Sequence, residues 1–527
     1  MSFLRHIRIV AIAAVCGLAS VATAQELRVA LAAEPTSMDP HYHNQTSNNS
    51  LASEIFDALT LQDANQKLLP GLAVSWRLVD PLTWEFKLRQ NVKFHDGSPF
   101  GADDVIVSMK RAPSVPGSPS SFGVFVKGKT FEKVDDLTVR VTTAQPYPFT
   151  AVDLSRIAIV SRNSAAATTD DFNAGRAAIG TGRFKLVRWR SGDSIELVRN
   201  DSYWGGAPDI ERIRIRPIKT GTTRAAALLA GDVDFIEGVA PSDVARVEAD
   251  RNLTVFKAVS NRLVYLSIEL ARETNPFIKG NDGKDIRNPF IDKRVRQAVS
   301  LAIDRAAIAS RVMENLAEPS GQFSPKGYIG YSADLTADKA DLDRARALMK
   351  DAGFADGFRL TIHGPNDRYT NDSRVLETIA QLLSRINIKT SVEAMPSATF
   401  FRRAESGGPN GTPEFAFYLS GYANGSGEPS HPLRVFIHTR DQARGLGVGN
   451  RNGYSNAEVD ALIDRGLTTM DETQLEGIFV KATELAMRDY ALLPLYHEVA
   501  TWAGRKGISY ATGAVDSTFM SAIKRAP

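Results

Sequence analysis

Apolar and polar positions alternate with period two over residues 26–32 (ELRVALA), which predicts an opening strand with one buried face. Residues 45–59 switch to helical spacing. Alternation returns over residues 72–94, with a turn at Asp80 and Pro81, and predicts consecutive antiparallel strands. A short helix follows at 103–111, then a loop rich in Pro, Gly and Ser at 112–129, then strand pattern at 130–142. Residues 184–199 and 210–218 read as further strands, and 222–230 as a helix stopped by Gly231.

After Arg262 the pattern changes. Residues 263–270 read as a strand, and 292–315 as one long amphipathic helix. Helix and strand then alternate: helix 339–352, strand 358–363, helix 373–386, strand 388–395, helix 398–405, strand 414–419. Helices 456–468 and 472–488 precede a last strand at 492–499. Such alternation favours an α/β lobe with mostly parallel strands, set beside a first lobe rich in antiparallel ones.

The first 24 residues differ from all the rest. Arg5 and Arg8 precede an apolar run, and Ala22-Thr23-Ala24 precede Gln25, the arrangement of a secretory signal peptide cleaved after Ala24. The apolar run is too short for a spanning helix, and no later segment is long and apolar enough to cross a bilayer. The expected product is exported and not membrane-spanning. The only cysteine, Cys16, leaves with the leader, so disulfides, thiol nucleophiles and thiolate metal sites are excluded from the mature chain. A formal charge of +3, from 63 basic and 60 acidic side chains, provides no field for nucleic acid.

Catalytic motifs are missing from the sequence. It contains no HExxH and no GxSxG. His41 and His43 share one side of an extended segment, and His431 and His438 lie two helical turns apart, but neither pair has recognisable further ligands. No metal or cofactor is therefore expected. The run Gly445-Leu446-Gly447-Val448-Gly449 lacks the lysine and the strand context of a nucleotide loop and reads as a flexible surface loop.

One block is more telling: LPGLAVSW from Leu69 to Trp76, TWEFKLR from Thr83 to Arg89, and VKFHDGSPFGADDV from Val92 to Val105. It resembles the family 5 extracellular solute-binding proteins, the peptide, oligopeptide and nickel receptors of ABC importers. Five further segments continue the resemblance in order. They are IGTGRFKL from Ile179, RNDSYWGG from Arg199, FIDKRVRQA from Phe290, and GYSNAEVD from Gly453 with LPLYH from Leu493.

The resemblance implies a two-lobed α/β periplasmic binding protein, type II-like, of the large class with an extra subdomain and a ligand cleft between the lobes. Lobe I would take residues 25–268, with the extra subdomain at about 70–180, and the tail 497–527. Lobe II would take 269–496. The chain would be a monomer that closes around a peptide or small solute and docks on the transmembrane subunits of a permease. The same fold could instead carry a nickel chelate, sugar or opine-like compound; a periplasmic hydrolase is the alternative of another class.

In peptide receptors of this family a second-lobe strand ends in Gly-Trp, followed by an Asp that pairs with the peptide amino terminus. Here Tyr422 takes the Trp place and Gly425 the Asp place, so either Asn424 or Glu428 compensates or the ligand has no free amino terminus in that position. The loop at 364–372 follows a strand and precedes a helix, a setting suited to anions, and its family counterpart presents Arg to a ligand carboxylate. Arg368 is thus the candidate anchor. Tyr369, Asn371 and Tyr422 are candidates for stacking and hydrogen bonds, joined by Tyr496 beside the expected hinge and Asn44 after the first strand.

Overall fold

Two long strands, Leu253–Ile268 and Leu493–Arg505, run side by side through the middle of the molecule and belong to both of its halves. The computed structural model describes residues 26–513 and 517–525, so the leader reading of residues 1–24, with Cys16, lies outside the described residues. The two strands pair antiparallel from Leu253 opposite Arg505 to Val259 opposite Val499. They then slip register, pair again from Leu263 opposite His497, and shift once more between Val264 and Tyr265 before ending at Leu266 opposite Leu493.

On one side the sheet continues through Phe235–Glu237, Glu26–Leu31, Arg212–Pro217, Ser194–Arg199 and Phe184–Arg190. On the other it continues through Phe417–Ala423 and Arg359–Pro365 to Ile278–Lys279. Each half has its own core. Leu27 and Val29, the buried face of the opening strand, pack with Phe184, Ile213 and Trp502. Val264, Phe290, Val299, Leu376 and Phe417 anchor the second. The molecule is a two-lobed α/β protein on one shared sheet.

The second lobe is mixed rather than mostly parallel. Arg359–Pro365 lies parallel to Lys389–Met395 and to Phe417–Ala423, as helix-strand alternation predicts. Phe417–Ala423 is antiparallel to Leu253–Ile268, because that strand enters from the other lobe and runs against those the helices feed.

The long helix expected at 292–315 is also broken. Lys293–Ala302 is helical, Ile303 is extended, and a new start is capped by Asp304, whose side chain accepts from the Ala307 N–H at 2.9 Å. The cause is Arg305, which is buried. Its guanidinium donates to the carbonyls of Ser300 and Pro494, at 3.0 and 2.7 Å, and holds the chain out of helical register.

The extra unit is a four-stranded antiparallel sheet, Ala73–Asp80, Thr83–Leu88, Thr138–Thr143 and Lys129–Asp135, covered by helix Ala102–Arg111 around Phe86, Val105, Val139 and Val141. His95 ties this unit to the first lobe: the Gly180 N–H donates to its Nδ1 at 3.3 Å, and its Nε2 donates to the Gly182 carbonyl at 3.0 Å. Gly180 and Gly182 pass so close to helix Thr46–Ile55 that a Cβ would stand 1.9 and 2.6 Å from the Ile55 carbonyl oxygen. Two sequence signatures thus meet at one backbone crossing. Phe149, from the same unit, packs against Phe479 of helix Glu472–Arg488 in the second lobe, with 6.1 Å between ring centres.

Candidate functional site

Where the lobes face each other lies a cavity of about 380 Å³. Its first-lobe wall is the end of strand Glu26–Leu31, continued by Ala32, Ala33 and Pro35, together with Ser47, Ser50, Leu51 and Glu54 of helix Thr46–Ile55. Arg368 comes from the second lobe, and Arg262 from the central strand between the two. Glu237 completes the polar lining; its oxygens accept from the Ala32 N–H at 2.7 Å and from the Thr518 hydroxyl at 2.5 Å.

Arg368 is exposed, and among the described residues no group pairs with its guanidinium; its backbone N–H donates to Asp372 Oδ2 at 3.0 Å. Arg262 sits with its Nε 3.5 Å from a carboxylate oxygen of Glu498. The other Glu498 oxygen accepts from the Thr370 N–H at 3.0 Å, so one carboxylate holds the arginine on the strand and the loop that carries Arg368. Two cations therefore reach the cavity from different elements. Their geometry suits a carboxylate.

The neighbours of Arg368 in sequence have structural work. The Tyr369 hydroxyl accepts from the Gly421 N–H at 2.7 Å and donates to its carbonyl at 3.3 Å, locking the loop to strand Phe417–Ala423. Asn371 adopts a left-handed conformation, φ +56°, and its amide donates to the Val312 carbonyl at 2.8 Å. Tyr496 is wholly buried in the second-lobe core, and burial pushes its hydroxyl well above the usual phenol range. Asn44 stands away from the cavity, its Oδ1 accepting from Asn49 at 2.9 Å.

Tyr422, Asn424 and Glu428 gather elsewhere. Tyr422 and Asn424 border a crevice of about 10 Å³, room for no more than a water. Gln62 and Gln66 of the first lobe close it, donating to the carbonyls of Ser426 and Asn424 at 2.5 and 2.6 Å. The Asn424 side chain organises its own turn, donating to the Glu428 carbonyl and accepting from Ser426 and Gly427. Tyr422 bonds His431 at 2.5 Å and stacks on it; burial drives that imidazole down to about 4. Glu428 is buried and paired with Arg434 at 2.9 Å; burial, opposed by the arginine, pushes its carboxyl up to about 7. Gly425 faces open space.

The histidine pairs are engaged by protein. His41 Nε2 meets the Ala158 carbonyl at 2.8 Å beside Arg111, and His43 meets the Thr36 hydroxyl at 2.9 Å. Among the described residues no cluster of three metal-binding side chains occurs. Two glycines of the run 445–449 are closely packed: a Cβ on Gly447 would meet the His438 carbonyl at 2.4 Å, and one on Gly449 the Phe436 ring at 2.8 Å, whereas Gly445 faces open space.

Sequence reasoning missed Arg262, Glu54 and Glu237. Arg262 had a visible signal, a charge at the edge of the apolar run 263–270; Glu54 had a weaker one, an acid two residues before Phe56 on the apolar side of its helix.

The family model described as "Bacterial extracellular solute-binding proteins, family 5 Middle" matches residues 67–444. The glutathione-binding protein GsiB of Pectobacterium atrosepticum is 28% identical over 469 residues, covering 88% of this chain and 87% of its own. Among solved structures, HbpA2 from Haemophilus parasuis superposes with a TM-score of 0.82 at 23% identity, covering 95% of this chain and 100% of that one. The periplasmic binding protein DppA from Helicobacter pylori, in complex with peptide STSA, superposes at 0.73 with 23% identity, covering 95% and 98%.

Proposed function

The chain belongs to family 5 of the bacterial extracellular solute-binding proteins, periplasmic receptors of ABC importers, and from that premise we propose that its cargo is a short acidic peptide or peptide-like solute, glutathione among them. The cavity between the lobes carries this reading, because Arg262 and Arg368 converge on it from two elements, with no catalytic constellation beside them among the described residues. Two guanidiniums recognise a carboxylate with direction as well as charge. A volume of about 380 Å³ suits a few residues rather than a long chain.

Residues 25–268 with the tail 497–527 form one lobe in this reading, with the subdomain at about 70–180, and 269–496 form the other. The solute touches both, so it binds the closed arrangement better and shifts the equilibrium towards it. The permease subunits are the partner, and the receptor works as an exported monomer, cleaved after Ala24, without turnover. The cargo is tested by calorimetry of the purified chain with reduced glutathione and with a pool of di- and tripeptides. Micromolar or tighter binding of an acidic member, lost on amidation of its carboxylates, is expected. Equal binding of amidated forms, or binding of none, overturns the acidic-peptide reading.

A further inference from the structure

Helix Thr46–Ile55 turns Ser47, Ser50, Leu51 and Glu54 towards the cavity, the i, i+3, i+4, i+7 spacing of one helical face. Two polar atoms on this face, Ser47 Oγ and Glu54 Oε2, are buried and have no hydrogen-bond partner among the described residues. Glu54 is only 1% exposed. Its other oxygen accepts from the backbone and hydroxyl of Ser521, both at 3.2 Å. Burial raises the Glu54 carboxyl; Arg183 opposes this through space, without forming an ion pair among the described residues, and so do hydrogen bonds from Ser521 and from the Met520 backbone. A buried carboxylate with one idle oxygen is costly unless something else completes it.

Its position says what would complete it. Glu54 is the penultimate residue of a ten-residue helix, so the partial negative charge of the helix C-terminus adds to its own. Both favour a cation or a strong N–H donor. The second-lobe side presents Arg368 and the floor presents Arg262, both positive. The cavity is therefore electrically polar from one lobe to the other. Where the family resemblance implies a second-lobe acid for an ammonium, this chain has Gly425, at which a Cβ would meet nothing within 4 Å.

We propose that Glu54, assisted by Ser47, is a specificity residue that binds the ammonium or other cationic N–H group of the solute on the first-lobe side while its carboxylate lies against Arg368 and Arg262. The proposal rests on the receptor reading above and adds to it an orientation, amine towards lobe I and acid towards lobe II. Solutes with both charges, spaced to bridge the cavity, are selected over simple anions. An N-acylated solute leaves Glu54 unpaired and is rejected.

Calorimetry on the purified chain, freed of carried-over solute by unfolding and refolding, tests this with reduced glutathione, N-acetylglutathione and dipeptides with free or acetylated amino ends. The unaltered protein is expected to bind free amines about 10- to 100-fold more tightly than acetylated ones. Glu54→Gln is expected to reduce that preference to within about threefold, while Arg368→Ala weakens both forms and keeps it. An undiminished amine preference in Glu54→Gln, or equal binding of acetylated probes by the unaltered protein, overturns the assignment and leaves the receptor reading standing. Binding of no probe overturns the peptide cargo and this inference with it. The acetylation comparison needs no variant to fold.

Discussion

Arg262 and Glu498 face each other across the paired central strands, Nε to carboxylate oxygen 3.5 Å, and Glu498 also accepts from the Thr370 N–H in the loop of Arg368. One carboxylate thus sets the spacing between the two cations of the cavity. Glu498→Gln keeps the hydrogen bond to Thr370 and weakens the hold on Arg262. Affinity for an acidic solute is expected to fall about tenfold with little change in melting temperature, read by calorimetry and thermal unfolding. Unchanged affinity would leave Glu498 a purely structural residue.

Arg368 is exposed and makes no ion pair among the described residues, so its removal takes little from the fold. Arg368→Ala is expected to weaken an acidic ligand by about 1.5–3 kcal/mol, the value of a charge-assisted hydrogen bond, and to move stability by less than about 0.5 kcal/mol. Arg368→Lys should fall between, since an ammonium keeps the charge and loses the planar fork.

Glu428 gives the protein a pH dependence whose sign follows from its burial. The folded carboxyl stays protonated up to about 7, against 4.5 when free. Between those values the folded chain holds the extra proton, so stability falls as pH rises from about 4.5 to 7 and levels above. The contribution amounts to at most about 3 kcal/mol at 1.36 kcal/mol per pH unit. Glu428→Gln cannot ionise. Its melting temperature relative to the parent should therefore shift in its favour from pH 5 to pH 8; a constant difference would contradict the buried, high-pKa carboxyl.

Gly180 and Gly477 form a contrasting pair. A methyl on Gly180 would stand 1.9 Å from the Ile55 carbonyl oxygen, whereas on Gly477, in helix Glu472–Arg488, it meets nothing within 4 Å. Gly180→Ala is expected to cost more than about 3 kcal/mol and to displace the helix that carries Glu54. Gly477→Ala should be neutral or stabilise by up to about 1 kcal/mol. Urea unfolding of both variants checks the contrast.

The elements legible in the sequence are those decided by nearby residues. Leu27 and Val29 alternate with polar neighbours and are buried, and Asp341, Asn456 and Asp471 cap the helices that their positions announce. The break at Ile303 was illegible because it depends on Arg305 reaching the Pro494 carbonyl, 189 residues away in sequence. The same reason separates Arg368 from Glu54. Arg368 stands in a loop between a strand and a helix, a setting suited to anion capture. Glu54 reads in the sequence as one more polar residue of an amphipathic helix, and only the fold shows that no group among the described residues completes its second oxygen. Tyr422, Asn424 and Glu428 were singled out by family position, but Gln62 and Gln66 now cover that stretch from across the cleft.

The central strands give the molecule a mechanical character. Leu253–Ile268 and Leu493–Arg505 share one ladder on both sides of the register slip at residues 259–263. Such a joint works like a flexure rather than a pin. Rotation of one lobe against the other is taken up as a change of twist concentrated at the slip, where the ladder is already interrupted and few hydrogen bonds need to stretch. A closure about such a joint would take its axis from the common direction of the two strands.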